Sequence, residues 1–306
     1  EVIKTRIAKY NKLTLPFRLR KTMHHHIGVI HFSHSDGTVR LVRNLHQDGD
    51  PVSLHSEEDI EEFMESKHFR GSKMNFPGGQ HLGFRDLWVV PTFSGNNLKF
   101  FVIDVDNPAD LPFETLADTT RKIAREAERQ GYLTLIQFTG KSFQIWTHKG
   151  TIQSHKDAQT LVRNISKKAA DVAFAREEAK LRNLPFIDYT VNARNKPIGM
   201  FFGMHFKPTK PLSESTGLVR VPVPIEELKT FEPGYHAHPE YVMENFAHLS
   251  AQVSTFFNEV GMGSGFVDME APPPCFRTAR GEADKEHKFA QDLSNWKYSP
   301  RFKEIA

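Results

Sequence analysis

Short apolar runs bounded by Gly, Pro, Asn and Asp recur along the chain, and their spacing switches between a strand-like period of two and a helical period of three to four. In IGVIHFSHSDGTVRLVRNL, Ser-Asp-Gly interrupts two stretches rich in β-branched and aromatic residues, which predicts a hairpin over 28–44. Ser56 precedes a run crowded with acidic residues, the signature of a helix start. Gly, Pro and Asn between 71 and 83 mark a loop, followed by a strand at DLWVV and a stronger one at LKFFVIDVD that stops at Asn107 and Pro108.

Leu116, Thr120, Ile123 and Ala127 share one face of a predicted helix over 112–130, with Gly131 as its stop. TLIQFT and SFQIWTH read as two strands joined through Gly140 and Lys141. Leu161, Ile165, Ala169 and Val172 form a stripe that predicts one long helix over 155–182. Short strands are expected at FIDY, near IGMFFGMHF and at GLVRVPV. Helical patches follow from Ile225, and a Pro-rich break falls at 271–274. There is no fixed-period repeat, and the hairpin-like neighbours differ from the regular alternation of a doubly wound sheet. The expected fold class is α+β, built on an antiparallel or mixed sheet flanked by helices.

Composition changes this picture little. With 39% hydrophobic and 25% charged residues, the 306-residue chain has the profile of an ordinary globular protein large enough to bury a sizeable core. Its one cysteine, Cys275, excludes an intramolecular disulfide and a cysteine-rich zinc knuckle, which favours a reducing compartment. No apolar run approaches the roughly 20 residues needed to span a bilayer, and the first residues lack the apolar core of a secretory signal. A soluble, cytoplasmic protein with no membrane partner is the expectation. The first residue is Glu, which leaves room for further domains. The net charge of +3 is unevenly spread: Lys4, Arg6, Lys9, Lys12, Arg18, Arg20, Lys21, Arg40 and Arg43 are set against only Glu1 and Asp36. Such a cluster is either a track for a phosphate backbone or a solvated basic face.

The chemistry gathers around three aspartates. Asp104 and Asp106 stand two apart at the end of FFVIDVD, so on a strand both leave the same face. Like charges so close repel unless a cation neutralises them, and hard oxygen ligands select Mg²⁺ or Mn²⁺. A strand-end turn with solvated aspartates has the same local pattern. Asp188 lies in the apolar, aromatic LPFIDYTV, where a carboxylate needs a partner, a metal or a capping role. Between them, Thr139, Gly140, Lys141 and Ser142 form a tight link. It is either a plain hairpin turn or a set of amides, a hydroxyl and an ammonium able to grip phosphates.

Taken in order, FVIDVD, FTGKSFQIW, FIDYTV and STGLVRVPV, spanning about 98–223, resemble the catalytic core of archaeo-eukaryotic primases. In that family the motifs are an aspartate pair on a strand, a Ser-Gly-x-Gly-x-His hairpin and a hydrophobic-aspartate strand, with a later Thr-Gly-Leu-Val stretch. The resemblance implies one primase-polymerase-like domain over 1–306, in two interlocked lobes: an N-terminal lobe (1–90), a catalytic core carrying the three motifs (91–230) and a helical C-terminal segment (231–306). It implies that Asp104, Asp106 and Asp188 hold two Mg²⁺ or Mn²⁺ ions, and that the hairpin from Thr139 to Gln144 meets the triphosphate of an NTP or dNTP. The partner would be DNA, as a primer-template or a DNA end, together with repair or replication proteins. The reaction would be template-dependent nucleotidyl transfer. The length and the absence of zinc cysteines are more similar to the polymerase domain of bacterial ligase D than to the zinc-bearing primase small subunit.

Three residues depart from the family pattern. Gln144 stands where the family has a phosphate-binding histidine, Ser142 replaces the second glycine, and Met200 falls near a usual arginine, although His205 nearly keeps the position that follows. A neutral amide donates a hydrogen bond but carries no charge. The triphosphate grip then falls to Lys141, Lys207, Lys210 and Arg220, each of which also reads as an ordinary surface cation. The departures leave room for a catalytically reduced nucleic-acid-binding module, and the same triad acting on water would make a metal-dependent nuclease.

Other features carry less. His24, His25 and His26 cannot all face one ion from a strand and are expected to be structural or to face nucleic acid. His236 and His238 have same-face spacing but no third ligand nearby, so a solvated loop is expected. Trp88, Trp146, Phe201 and Phe202 are expected to pack rather than stack on bases, and Cys275 lacks a catalytic context.

Overall fold

A computed structural model describes residues 10, 13–18, 20–21, 27–33, 39–42, 46–47, 50–51, 58, 81–89, 98–193, 198–205 and 216–261, the strands before residue 90 as backbone. Strands β1 (Ile27–Ser33), β2 (Val39–Val42), β3 (His46–Gln47), β4 (Asp50–Pro51) and β5 (His81–Val89) are followed by β6 (Phe101–Asp106) and helix α1 (Phe113–Arg129). Then come β7 (Leu133–Phe138), β8 (Phe143–His148), α2 (His155–Ala169), α3 (Arg176–Arg182), β9 (Phe186–Asp188), β10 (Ile198–Gly199) and β11 (Val221–Val223). Helices α4 (Pro233–His236), α5 (Pro239–Glu244) and α6 (Phe246–Val260) close the described chain.

The expected hairpin is present: β1 pairs antiparallel with β2, within a four-stranded sheet ordered β10-β5-β1-β2. The second sheet is five-stranded and antiparallel throughout, ordered β11-β7-β8-β6-β9. This is the α+β architecture that the mixed periodicity predicts. Helix starts at Ser56 and the segment beyond residue 261, with Cys275 and the Pro-rich break, lie outside the described residues, as do His24, His25 and His26.

The two faces of the five-stranded sheet differ. On one, Phe101, Ile103, Val105, Phe143, Ile145, Ile136 and Phe138 are buried beneath α1 and α2. Phe113 of α1 meets the Phe138 ring at 6.2 Å and Phe143 at 5.4 Å. On the other, Trp146 stacks on Phe100 at 4.9 Å and meets Phe257 of α6 at 5.7 Å and Phe201 at 5.3 Å. Each fully buried large side chain contributes roughly 1.5–3 kcal/mol, so this aromatic cluster anchors α6 firmly. Helix α6 covers the Trp146 end of its face, while the other end carries the polar residues of the motifs.

Two expectations need correction. The stripe through Val172 does not make one helix: α2 ends at Ala169, Ala170 is extended (φ −155°), and α3 begins at Arg176. Between them Ala173 donates to Pro185 O and accepts from Ile187 N, so pairing with the β9 segment outcompetes helix continuation. Nor is IGMFFGMHF a strand throughout. Ile198–Gly199 pairs with β5, after which the chain turns, Phe202 takes a left-handed conformation (φ 64°), and Met204 makes an isolated antiparallel bridge with Val219. Phe202 is held there by Tyr10 Oη, which donates to its carbonyl at 2.7 Å, and by edge contacts with Phe17 and Phe246. Packing overrides the strand propensity of the run.

Three smaller points follow from burial. Arg18 and Lys21, read as part of a basic surface, are buried on the helical stretch that carries Phe17, and burial pushes the Lys21 ammonium down. His236 is not in a solvated loop: it ends α4, is buried, and stacks on Phe231 at 5.5 Å. His238 caps α5 instead, accepting from Glu240 N. Among the described residues, no helix is long and apolar enough to cross a membrane.

Candidate active site

Strand registers place the three aspartates together. Asp104 on β6 lies directly opposite Asp188 on β9 and Gln144 on β8, and Gln144 lies opposite Gln137 on β7. Residues paired across antiparallel strands share a face. One row therefore runs Asp188, Asp104, Gln144, Gln137, and the next contains Phe186, Asp106 and, through the hairpin, Ser142 and Thr139. This is the face that α6 leaves uncovered at its polar end. The sequence spacing of two between Asp104 and Asp106 has the consequence expected of a strand, and Asp188 joins them because β9 pairs with β6.

Each carboxylate is held differently. Asp106 accepts from Arg176 Nη2 at 3.0 Å and from Ser142 Oγ at 3.4 Å. Burial pushes its carboxyl above the ordinary range, with the Asp188 charge adding to the rise and Arg176, Ser142 and Lys141 opposing it. Asp188 accepts from the backbone N–H of Thr190 at 2.9 Å and from its hydroxyl at 2.5 Å, and so caps the short 3-10 turn Tyr189–Asn192. The turn residue Asn192 spans back to β6: its side chain accepts from Val102 N at 2.8 Å and donates to Val102 O at 2.7 Å. Asn192 thus continues the β6 ladder where the three-residue β9 has ended.

The β7–β8 link is tightly closed. Thr139 N donates to Ser142 O at 2.8 Å, Ser142 N donates to Thr139 Oγ1 at 3.1 Å, and Gly140 takes φ +95°. A side chain at Gly140 would lie 2.2 Å from His205 Cβ, so glycine lets the hairpin tip press on His205. Thr139 and Ser142 are buried and Lys141 is exposed. His205 Nδ1 accepts from Thr216 N at 3.3 Å, which leaves Nε2 as the protonated nitrogen of the neutral ring.

Arg220 lies deeper than a surface cation: it is 4% exposed and donates from Nη1 to Met204 O at 2.9 Å. Its guanidinium lies close against Gly199, where an added Cβ would come 2.4 Å from Nε. Arg220 braces the segment that carries His205, and Met200 beside it is fully buried. Lys207 and Lys210 lie outside the described residues.

Two residues of this face escaped the sequence reading. Arg176 was placed mid-helix, and only the break before α3 brings it to Asp106. Gln137 had a visible signal, a polar residue inside the apolar run TLIQFT on the same alternation as Gln144. As to metals, the donor chemistry fits a hard divalent ion: three carboxylates on one face, two of them repelling each other. As arranged, no three His, Cys, Asp or Glu among the described residues converge on one point, and Asp106 is paired with Arg176.

No family model matches the chain, and no curated protein does. A solved structure of the polymerase domain from Mycobacterium tuberculosis ligase D in complex with DNA is similar in fold, with a TM-score of 0.57 over 81% of this chain and 92% of that one, at 14% identity. At that identity the likeness is one of architecture: an α+β fold with an antiparallel sheet flanked by helices, shared with a DNA-bound polymerase domain.

Proposed function

We propose that the chain is a nucleotidyltransferase of the primase-polymerase type, which adds NTPs or dNTPs to a primer or DNA end under the direction of a template. The observation that carries this reading is the row of Asp188, Asp104 and Gln144 beside Asp106, on one open face and flanked by the closed Thr139–Ser142 link. Asp104, Asp106 and Asp188 would hold two Mg²⁺ or Mn²⁺ ions, which supply charge neutralisation for an in-line displacement at phosphorus. Arg176 must first release Asp106. The amides and hydroxyls of Thr139, Gly140 and Ser142, with Lys141 and Gln144, would receive the triphosphate, and His205 would border it from behind the hairpin. Lys207 belongs to the same proposal by its sequence position. Arg220 supports the site by holding the 198–204 segment.

Primer extension on a primer-template with NTPs and dNTPs in Mn²⁺ tests the proposal. Extension by the wild type that is lost in Asp104→Ala and Asp188→Ala is expected, whereas no extension, or extension unchanged by Asp104→Ala, rejects it. A reaction without nucleotides separates a nuclease, which shortens the labelled strand.

The Arg176–Asp106 ion pair favours a second reading, a DNA-binding module of the same fold in which an arginine occupies the carboxylate. DNA binding with a steep salt dependence and no incorporation at any metal concentration is its signature.

A further inference from the structure

Gln137 is fully buried in the centre of the five-stranded sheet. Its Oε1 accepts from Trp146 Nε1 at 3.3 Å. An indole N–H only donates, so this contact fixes which end of the Gln137 amide faces Trp146, and the NH₂ group must point the other way. That Nε2 is buried without a partner. Directly across the strand pair, on the same face, Gln144 presents a buried Oε1 that also lacks a partner. A buried unpaired amide donor or acceptor is destabilising, and here one of each stands on paired residues whose Cβ atoms lie about 5 Å apart. Each supplies what the other lacks.

We propose that Gln137 is a positioning residue for Gln144: its Nε2 donates to Gln144 Oε1 after a small side-chain rotation, and so turns the Gln144 NH₂ outward to donate to an anionic phosphate oxygen. The order Trp146 to Gln137 to Gln144 leaves one orientation for each amide. A histidine at position 144 would present a ring nitrogen by its own shape. A glutamine has a free terminal torsion and needs this external constraint to present a donor rather than an acceptor. The ligand class rests on the functional reading above, whereas the relay itself does not.

The experiment uses the full chain with ¹⁵N-labelled glutamine and the near-isosteric Gln137→Met, which keeps the packing but cannot donate. The side-chain NH₂ resonances of Gln144 are expected to shift, because the carbonyl end of the amide loses the donor that fixes its orientation. Affinity for the Mn²⁺ complex of a nucleoside triphosphate is expected to fall about tenfold, as in Gln144→Ala. In the Gln144→Ala background, Gln137→Met should then weaken binding no further. Gln144 resonances unmoved by Gln137→Met, or an equal loss of affinity in both backgrounds, overturn the proposal. Should Gln137→Met fail to fold, Trp146→Phe removes the N–H that orients Gln137 and must shift the same resonances. If the wild type binds no triphosphate, the polymerase reading fails and the amide resonances alone decide the relay.

Discussion

Arg176 donates from Nη2 to Asp106 Oδ2 at 3.0 Å while its guanidinium carbon lies 5.3 Å from the centre of the Phe186 ring. The arginine therefore competes for the carboxylate that a divalent ion would need. Half-exposed ion pairs of this kind contribute about 0.2–1 kcal/mol. Arg176→Ala is expected to tighten Mn²⁺ binding up to about fivefold, read by titrating free Mn²⁺ in electron paramagnetic resonance. Unchanged affinity would mean that arginine and ion do not share Asp106.

Gly140 and Gly150 both take positive φ, +95° and +101°, but only Gly140 faces an obstacle. Gly150→Ala should cost the backbone term alone, on the order of 1–3 kcal/mol. Gly140→Ala adds a collision with His205 and should cost clearly more. Urea denaturation of the two variants gives the comparison, and equal losses would remove the claim that the hairpin tip is pressed on His205.

Asn192→Ala strips Val102 of both its side-chain partners. With two buried backbone groups left unpaired, about 2–4 kcal/mol of stability should disappear. Hydrogen exchange should localise the loss to the Val102 amide, whereas a global loss without deprotection there would contradict the ladder-extending role.

Glu126 on α1 is held down to about 2 by hydrogen bonds from Gln130 and Arg129, with Lys168 of α2 joining at 3.3 Å. Because the folded value lies below the unfolded one of 4.5, its stabilising contribution is complete above that pH and is lost as pH falls from 4.5 through about 2. The thermal midpoint of Glu126→Gln should therefore fall less steeply than the wild type across that window. Parallel profiles would assign the acid sensitivity elsewhere.

Much of the fold was legible because local rules and packing agree in it. The alternation in FVIDVD placed Asp104 and Asp106 on one face, and Gly131 does end α1 in a left-handed conformation. The reading broke where a long-range contact outweighed local preference. Ala173 leaves its helix to pair beside β9, and Phe202 abandons its strand to meet Phe17 and Tyr10. Those two breaks deliver Arg176 to Asp106 and shape the segment that Arg220 braces, so the site features hardest to read were those set by contacts distant in sequence. The pairing of Asp104 with Asp188 joins residues far apart in the chain, and no local spacing encodes it.

The bond between Thr216 and His205 joins two positions eleven residues apart in the chain. Both residues crowd the hairpin tip, since a Cβ at Gly140 would meet His205 Cβ at 2.2 Å and Thr216 Oγ1 at 3.2 Å. One hydroxyl and one imidazole thus act as a clasp at Gly140, and the close fit there rests on side-chain contacts rather than on the strand ladder.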